Sequence, residues 1–549
     1  MQNRYDAIIV GGGHNGLVTA CYLARAGLRV CVLERRHLVG GACVTEEVWP
    51  GYRVSTTSYV VTYFHPQIVQ DFNLKRYGYH VYRQEPAVFH PFPDGRHLML
   101  WGDDERDRAE YAKFSKLDAE RRDRFYARLK RIAVPIQTLL TMTPPTVPSF
   151  RPRDLLGMLK LFRLALGLKP EDLALLSEIS TAGILDFIEP WFESEQVRAY
   201  YCAQAVIGIY GGVHASGSAL TLMHDFLGGA YGQRGVWGVV RGGMGGLTQA
   251  LAAAAKDLGV TIRTKAAVRS LRVEPLHAGK AGTAQDDHQP GRVTGVILES
   301  GEELHARVVA SNADPKRTFL GLTPQKFLPR AFRESIGRFR TQSASLKVHL
   351  ALGELPDFKG VPSPAGGEPG PQHRGLIVIC PSPDYIERAW DAVREGGISR
   401  EPVLDTCCPT VLDSTLAPPG KHILNCFVQY GARHLREGSW ADAKDTVVKR
   451  VIDVLGRYAP NLPASVEHSH VVTPEDLEIE YGLTGGNIFQ GAMTAEQMFC
   501  FRPAGGYADY RTPVQRLYLC GSGAHPGGGV SGIPGMNAAR AVLRDLRKW

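Results

Sequence analysis

Two periodicities alternate along the chain. Short apolar, β-branched runs read as buried strands, and stretches with apolar residues three and four apart read as helices. The first succession is YDAIIV, a helical pattern through Ala26, then LRVCVLE, a second strand ending on Glu34. Residues 236–274 repeat the theme as strand, glycine turn, alanine-rich helix and strand. RVTGVILESGEELHARVVASNADP then alternates around a Ser-Gly turn and predicts a β-meander, with the polar run 277–291 as its surface loop. SLKVHLAL and HILNCFVQY predict strands, and AKDTVVKRVIDVLGRYA predicts a helix. The chain closes on LYLCGSGAHPGGGVSGIPGMNAARAVL, a strand, a glycine-dense loop and a helix beginning near Ile533 and Pro534.

Further helices fall between these blocks. Ser115 to Asp118 carries a capping-box pattern that opens a long amphipathic helix. Residues 151–169, RPRDLLGMLKLFRLALGLK, set basic residues among an apolar excess. That pattern fits a membrane-surface helix or lid for a lipid-like substrate, and equally a packed helix with a solvated basic edge. The proline- and glycine-rich stretch 362–375 is expected to be a mobile loop.

Composition adds bounds. A chain of 549 residues, 44% hydrophobic and 21% charged, has the makeup of an ordinary globular protein. Its charge of +8 is spread along the sequence without a basic block, which argues against nucleic acid as a partner. The ten cysteines form no C-x-x-C pair, so neither zinc nor dithiol chemistry is supported. Cys407 and Cys408 read as packed thiols, and the chain as reduced and intracellular. A first strand from Tyr5 leaves no room for a leader in this reading, and the expected location is the cytoplasm, with peripheral membrane contact left open.

The chemistry is concentrated at the two ends. Gly11, Gly13 and Gly16 stand in G-x-G-x-x-G spacing between strand and helix, with His14 and Asn15 inside the loop. The glycines serve a tight turn, close approach of a pyrophosphate, and helix–strand packing, while the helix N-terminus favours phosphate. Glu34, ending the next strand, is placed for the ribose hydroxyls of an adenosine. Arg35 and then the doublet Gly40-Gly41 before Ala42 favour FAD over a nicotinamide, because the doublet lets the chain run along the longer cofactor's diphosphate. FAD also needs a second backbone segment at its flavin end. The closing loop, with Gly521, Gly523, Gly532, Ile533 and Pro534, suits that role, and proline is tolerated in a first helical turn. A second glycine turn at Gly243 and Gly245 could serve a nicotinamide, but Thr248 stands where a third glycine belongs and no acid ends the following strand.

The pairing of GGGHNGLVTACYLARAGLRVCVLERRHLVGGA with LYLCGSGAHPGGGVSGIPG resembles the phytoene desaturase-like flavoproteins, with the β-carotene ketolases a more distant match. The resemblance implies an α/β fold: a glutathione-reductase-like Rossmann FAD-binding domain beside a mixed-sheet and helical substrate domain. It implies a discontinuous FAD domain of 1–75, 236–318 and 505–549, and a substrate domain of 76–235 and 319–504. It adds Val268 and Asn312 to the cofactor-binding residues. Near the ring, His525, Asn487 and Phe489 are the candidate catalytic residues, and no metal site is expected. The expected activity is FAD-dependent hydride removal from a small apolar or amphipathic molecule, with oxygen or a quinone as acceptor. Two alternatives stand beside it: a carotenoid desaturase or ketolase, and a flavin-binding interaction protein with little turnover.

Overall fold

The computed structural model describes residues 3–227, 237–276, 288–364 and 367–548. Its first sheet has seven strands. The apolar runs β1 (Arg4–Val10), β2 (Val30–Leu33) and β9 (Thr261–Arg263) pair in parallel in that order. On the other side of β1 lies β12 (Glu303–Ser311), also parallel, followed by β11 (Gly291–Leu298) and β10 (Val268–Pro275) as the antiparallel meander. The far edge of β12 is shared: β11 pairs with its first residues and β18 (Leu517–Leu519) with its last. Strands from both chain ends thus flank β12, and the helices His14–Arg25 and Ile533–Leu546 pack on one another beside it.

That helix pair touches backbone to backbone. Thr19 Oγ1 donates to the Gly535 carbonyl at 3.1 Å, and a Cβ on Gly535 would lie 2.2 Å from the Asn15 carbonyl oxygen. Only glycine permits this approach.

The second sheet, mixed and also seven-stranded, runs β17 (Val466–Val472), β13 (Ser345–Leu352), β16 (His422–Gly431), β15 (Ile398–Cys407), β14 (Leu376–Ile379), β6 (Val88–Pro91) and β7 (His97–Leu100). β14 and β6 are its one parallel pair. All eight residues of β13 are buried, as a central strand covered on both faces requires. Two hairpin-sized sheets complete the strands: β3 (Glu46–Trp49) with β4 (Tyr52–Val54), and β5 (Val81–Arg83) with β8 (Gly238–Val240). A helical layer including Lys116–Thr141, Pro170–Thr181 and Glu195–Ala205 encloses a separate aromatic-rich core. The α/β class with a mixed-sheet and helical second part is therefore the architecture of the chain.

Three local expectations change. Ser115 Oγ accepts from the Asp118 amide at 3.1 Å, but Asp118 does not complete a capping box. Its buried carboxylate instead accepts from the Glu193 and Ser194 amides at 2.8 and 2.9 Å, pinning a distant loop to the helix start. β8, expected in the cofactor sheet, pairs with β5 instead. Most of the polar run 277–291, along with residues 365–366 of the 362–375 stretch, lies outside the described residues. Among the described residues, no helix is long and apolar enough to cross a membrane.

The glycine contact yields a test. Gly535→Val forces the two terminal helices apart and is expected to destabilise the fold by about 1–3 kcal/mol, as overpacking does. A lower thermal midpoint with unchanged helix content in the surviving fold checks this; an unaltered midpoint refutes the close contact.

Candidate active site

The glycine loop after β1, the segment after β2 and the end of β12 enclose a cavity of about 180 Å³. Gly11, Gly13, His14 and Asn15 form one wall, Glu34 and Arg35 an end, and Gly40 to Ala42 the opposite side, with Val268 and Asn312 beyond them. Gly41 has φ +59° and lies against Gly13, so the two loops pass without side chains between them. A Cβ on Gly13 would stand 2.7 Å from Asn312 Nδ2.

Glu34 is buried and holds the loop in shape. Its Oε2 accepts from the Gly12 amide at 2.8 Å and its Oε1 from the Arg36 amide at 2.9 Å. Arg35 lines the cavity while its Nη2 donates to the Ile479 and Glu480 carbonyls, both at 2.6 Å. Two buried polar atoms beside the cavity, His14 Nε2 and Asn15 Oδ1, find no hydrogen-bond partner among the described residues. Burial lowers the His14 pKa to about 4, so its ring is neutral. A side-chain-free cradle, a helix N-terminus and orphaned polar atoms fit a dinucleotide diphosphate.

A second cavity of about 180 Å³ shares His14, Ala42, Leu483, Ile488 and Ser522 with the first, so the two adjoin across these residues. Apolar and aromatic residues dominate it, among them Tyr59, Trp237, Phe427 and Phe489. Two charged residues of the second sheet also face it, Lys347 from β13 and Asp405 from β15, with β16 between their strands. Lys347 Nζ sits 3.5 Å from the Tyr59 ring centroid and has no hydrogen-bond partner among the described residues. Burial lowers its pKa to about 8. Asp405 accepts from the Tyr59 hydroxyl at 2.6 Å, and burial raises its pKa to about 6 against the pull of Tyr59 and Lys347. Sequence reasoning missed both. The signal was a lone lysine inside the apolar run SLKVHLAL and a lone aspartate inside VLDTCC.

Of the three residues expected at the ring, Phe489 alone lines this second cavity. Asn487 turns into its own loop: its amide donates to the Gln342 carbonyl at 2.9 Å and its oxygen accepts from the Phe489 and Gly491 amides at 3.0 Å. His525 is buried, its Nε2 donates to the Leu139 carbonyl at 2.9 Å, and burial lowers its pKa to about 4. Both therefore position backbone. In the closing loop, Gly521 and Gly523 stand behind the cavity wall, where Gln490 and Asn312 meet them. Gly532, at φ +72°, and Pro534 start the last helix, and Ile533 borders a smaller cavity of about 80 Å³. Gly16 likewise supports rather than lines, its missing Cβ leaving room for the Gly11 carbonyl.

The second glycine turn has no amides free for a phosphate. Gly242 donates to Asp413 at 2.6 Å, Met244 to Ser55 Oγ at 3.0 Å and Gly245 to Thr45 Oγ1 at 2.9 Å. Arg263, at the end of the strand after this turn, makes a two-pronged pair with Glu302 at 3.0 and 2.6 Å.

Known proteins share this plan. The chain is 39% identical to rat pyridine nucleotide-disulfide oxidoreductase domain-containing protein 2, an alignment covering 100% of this chain and 94% of that one. It is 26% identical to the lycopene-forming phytoene desaturase of Pantoea ananas, covering 98% and 99%. An oxidoreductase structure from Methanosarcina mazei superposes with a TM-score of 0.60 at 16% identity, covering 98% of this chain and 100% of that one, which shows a common fold. Residues 16–543 match the family described as flavin containing amine oxidoreductase. The chain therefore belongs to the flavin containing amine oxidoreductase family, and it is a flavin-dependent oxidoreductase.

Proposed function

We propose that the flavin is FAD and that the enzyme removes hydride from an apolar or amphipathic organic molecule held in the second cavity. The observation that carries this reading is the adjacency of two cavities, one a glycine cradle and the other apolar, that share His14, Ala42 and Ser522 in their walls. Bound flavin supplies a hydride acceptor, and C–H removal then needs mainly a substrate held in place.

The chain's residues supply that placement. Phe489, Tyr59 and Phe427 exclude water from the second cavity and give it apolar walls. Lys347 Nζ, lacking a hydrogen-bond partner, holds a polar end of the substrate, and Asp405 with Tyr59 keeps its charge favourable. His349, next but one on β13, stays neutral with its pKa at about 3, mainly through burial, and adds no competing charge. In this reading residues 1–75, 236–318 and 505–549 bind the cofactor, and 76–235 with 319–504 shape the substrate cavity. Oxygen or a quinone suits it as acceptor, since the second glycine turn has its amides engaged. A carotenoid desaturase is the second reading, favoured by the near full-length similarity to phytoene desaturase. An altered pigment profile in a carotenoid-producing host would support it.

Purified protein is expected to be yellow and to release FAD on denaturation. Gly13→Val, which drives a side chain into the cradle, should lower flavin content at least about ten-fold while circular dichroism stays native. A parent protein that remains colourless after incubation with FAD overturns the proposal.

The buried pair sets a pH window for flavin reduction. Lys347 is charged below about 8 and Asp405 above about 6, so the reductive rate should peak between those values. It should fall on the alkaline side as the ammonium deprotonates. Lys347→Met is expected to slow reduction about ten- to a hundred-fold and flatten the alkaline limb, the size expected for losing a charged hydrogen bond. A rate that rises through pH 8 in the parent enzyme would show that the neutral amine acts instead.

A further inference from the structure

We propose that the helix Pro152–Leu166 and the loop before it dock on the surface of an anionic phospholipid bilayer. The helix inverts the usual pattern of burial. Its one fully buried side chain is Asp154, while Leu155, Leu156, Leu159, Phe162 and Leu166 are exposed and Met158, Leu161 and Leu164 are half-buried. Of the fifteen large hydrophobic residues exposed among the described residues, seven fall within positions 147–166. Phe150 is 91% exposed, and Leu156, Phe162 and Leu166 are 62, 60 and 69% exposed. Leu155, Leu159, Phe162 and Leu166 follow the helical repeat and form one continuous stripe. So dense an apolar face on an otherwise polar surface marks a contact.

Charge identifies what covers it. Arg151, Lys160, Arg163 and Lys169 are exposed along the same segment, and Asp154 is turned inward beneath Ser149 and Arg153. Long basic side chains beside an exposed leucine stripe match the headgroup and acyl layers of an anionic membrane, where they reach outward to phosphates. A second copy of the chain fits less well, because a two-fold contact would set these like charges face to face. The helix is also firmly held: Arg153 spans Asp154 and Asp509 at 3.1 and 2.7 Å, tying its first turn to the segment before β18.

The position suits an apolar substrate. The preceding helix, Lys116–Thr141, gives Ile136 and Leu140 to the smaller cavity, which shares Thr62, Thr221, Gly529 and Val530 with the apolar second cavity. Pro145, in the short link between the two helices, lies against Gly157. Docking by this face brings the apolar route beside the hydrocarbon layer.

The test is sedimentation of the flavin-loaded protein with vesicles of phosphatidylcholine alone or with phosphatidylglycerol. Binding is expected to the anionic vesicles and to weaken with salt. Leu156→Gln with Phe162→Gln and Leu166→Gln, all exposed positions, should cut partitioning at least about ten-fold at unchanged flavin content. Lys160→Gln with Arg163→Gln should remove the preference for phosphatidylglycerol. Failure of the parent protein to sediment with either vesicle overturns the proposal, as does a triple variant that binds like the parent. A concentration-dependent dimer abolished by the triple variant would overturn it in favour of a second copy. None of these outcomes depends on the substrate or on FAD chemistry, so the functional reading stands or falls separately.

Discussion

The glycine-lined cavity depends on how closely the backbone packs around Asn312. This residue follows β12, the strand flanked by both ends of the chain, and its amide continues the pairing by donating to the Val10 carbonyl at 2.8 Å. Its side chain donates to the Gly11 carbonyl at 3.3 Å, and its own carbonyl accepts from Gln490 at 3.3 Å. Cβ atoms on Gly13 and Gly521 would stand 2.7 and 2.5 Å from its atoms. One residue therefore meets the N-terminal loop through its side chain, and the C-terminal loop and the segment carrying Phe489 through its carbonyl. Glycine density at the two ends of the sequence follows from this crowding as much as from any ligand.

The second sheet solves a different problem, the burial of charge. A lysine in a fully buried strand is costly unless something offsets its desolvation. Here the offset is an aromatic face at 3.5 Å and a carboxylate two strands away in the same sheet, with no direct ion pair between them. Burial displaces both groups from their ordinary pKa values toward neutrality. The sheet could have held two hydrophobes there at no such cost.

The glycine-lined cavity was legible because its rules are local. Strand, G-x-G-x-x-G, helix, strand and acid occur within one short stretch, and each part has a fixed backbone consequence. Gly11 to Glu34 and the doublet Gly40-Gly41 could be placed from spacing alone, and the structure brings them around one cavity. The charged pair was not legible. Lys347 and Asp405 meet only through the order of strands in a mixed sheet, β13, β16 and β15, which no local pattern encodes. β8 departs from expectation for a related reason: the resemblance puts its segment in the cofactor sheet, but the strand pairs with β5, and Thr45, Ser55 and Asp413 from elsewhere in the chain take up the amides of its turn. Asp118 shows the same effect on a smaller scale, a capping residue recruited by a remote loop.

Polar residues near the ring were expected to act on substrate, and the structure gives most of them to the backbone instead. Arg502 shows why. It is fully buried, and its guanidinium is held by carbonyls of Phe489, Gly491, Ala492, Gln497 and Ser522 at 2.8 to 3.3 Å, with no carboxylate among these partners. Burial pushes its pKa down to about 9, yet five converging carbonyl dipoles satisfy its donors. An acid partner would compete for those donors and release the loops. The guanidinium thus fastens the segment carrying Phe489 to the loop carrying Ser522, two residues that line the same cavity. Asn487 and His525 work to the same end, bonding their own loops to backbone. Loops this rich in glycine have little order of their own, so a cavity wall built from them requires its polar side chains turned inward.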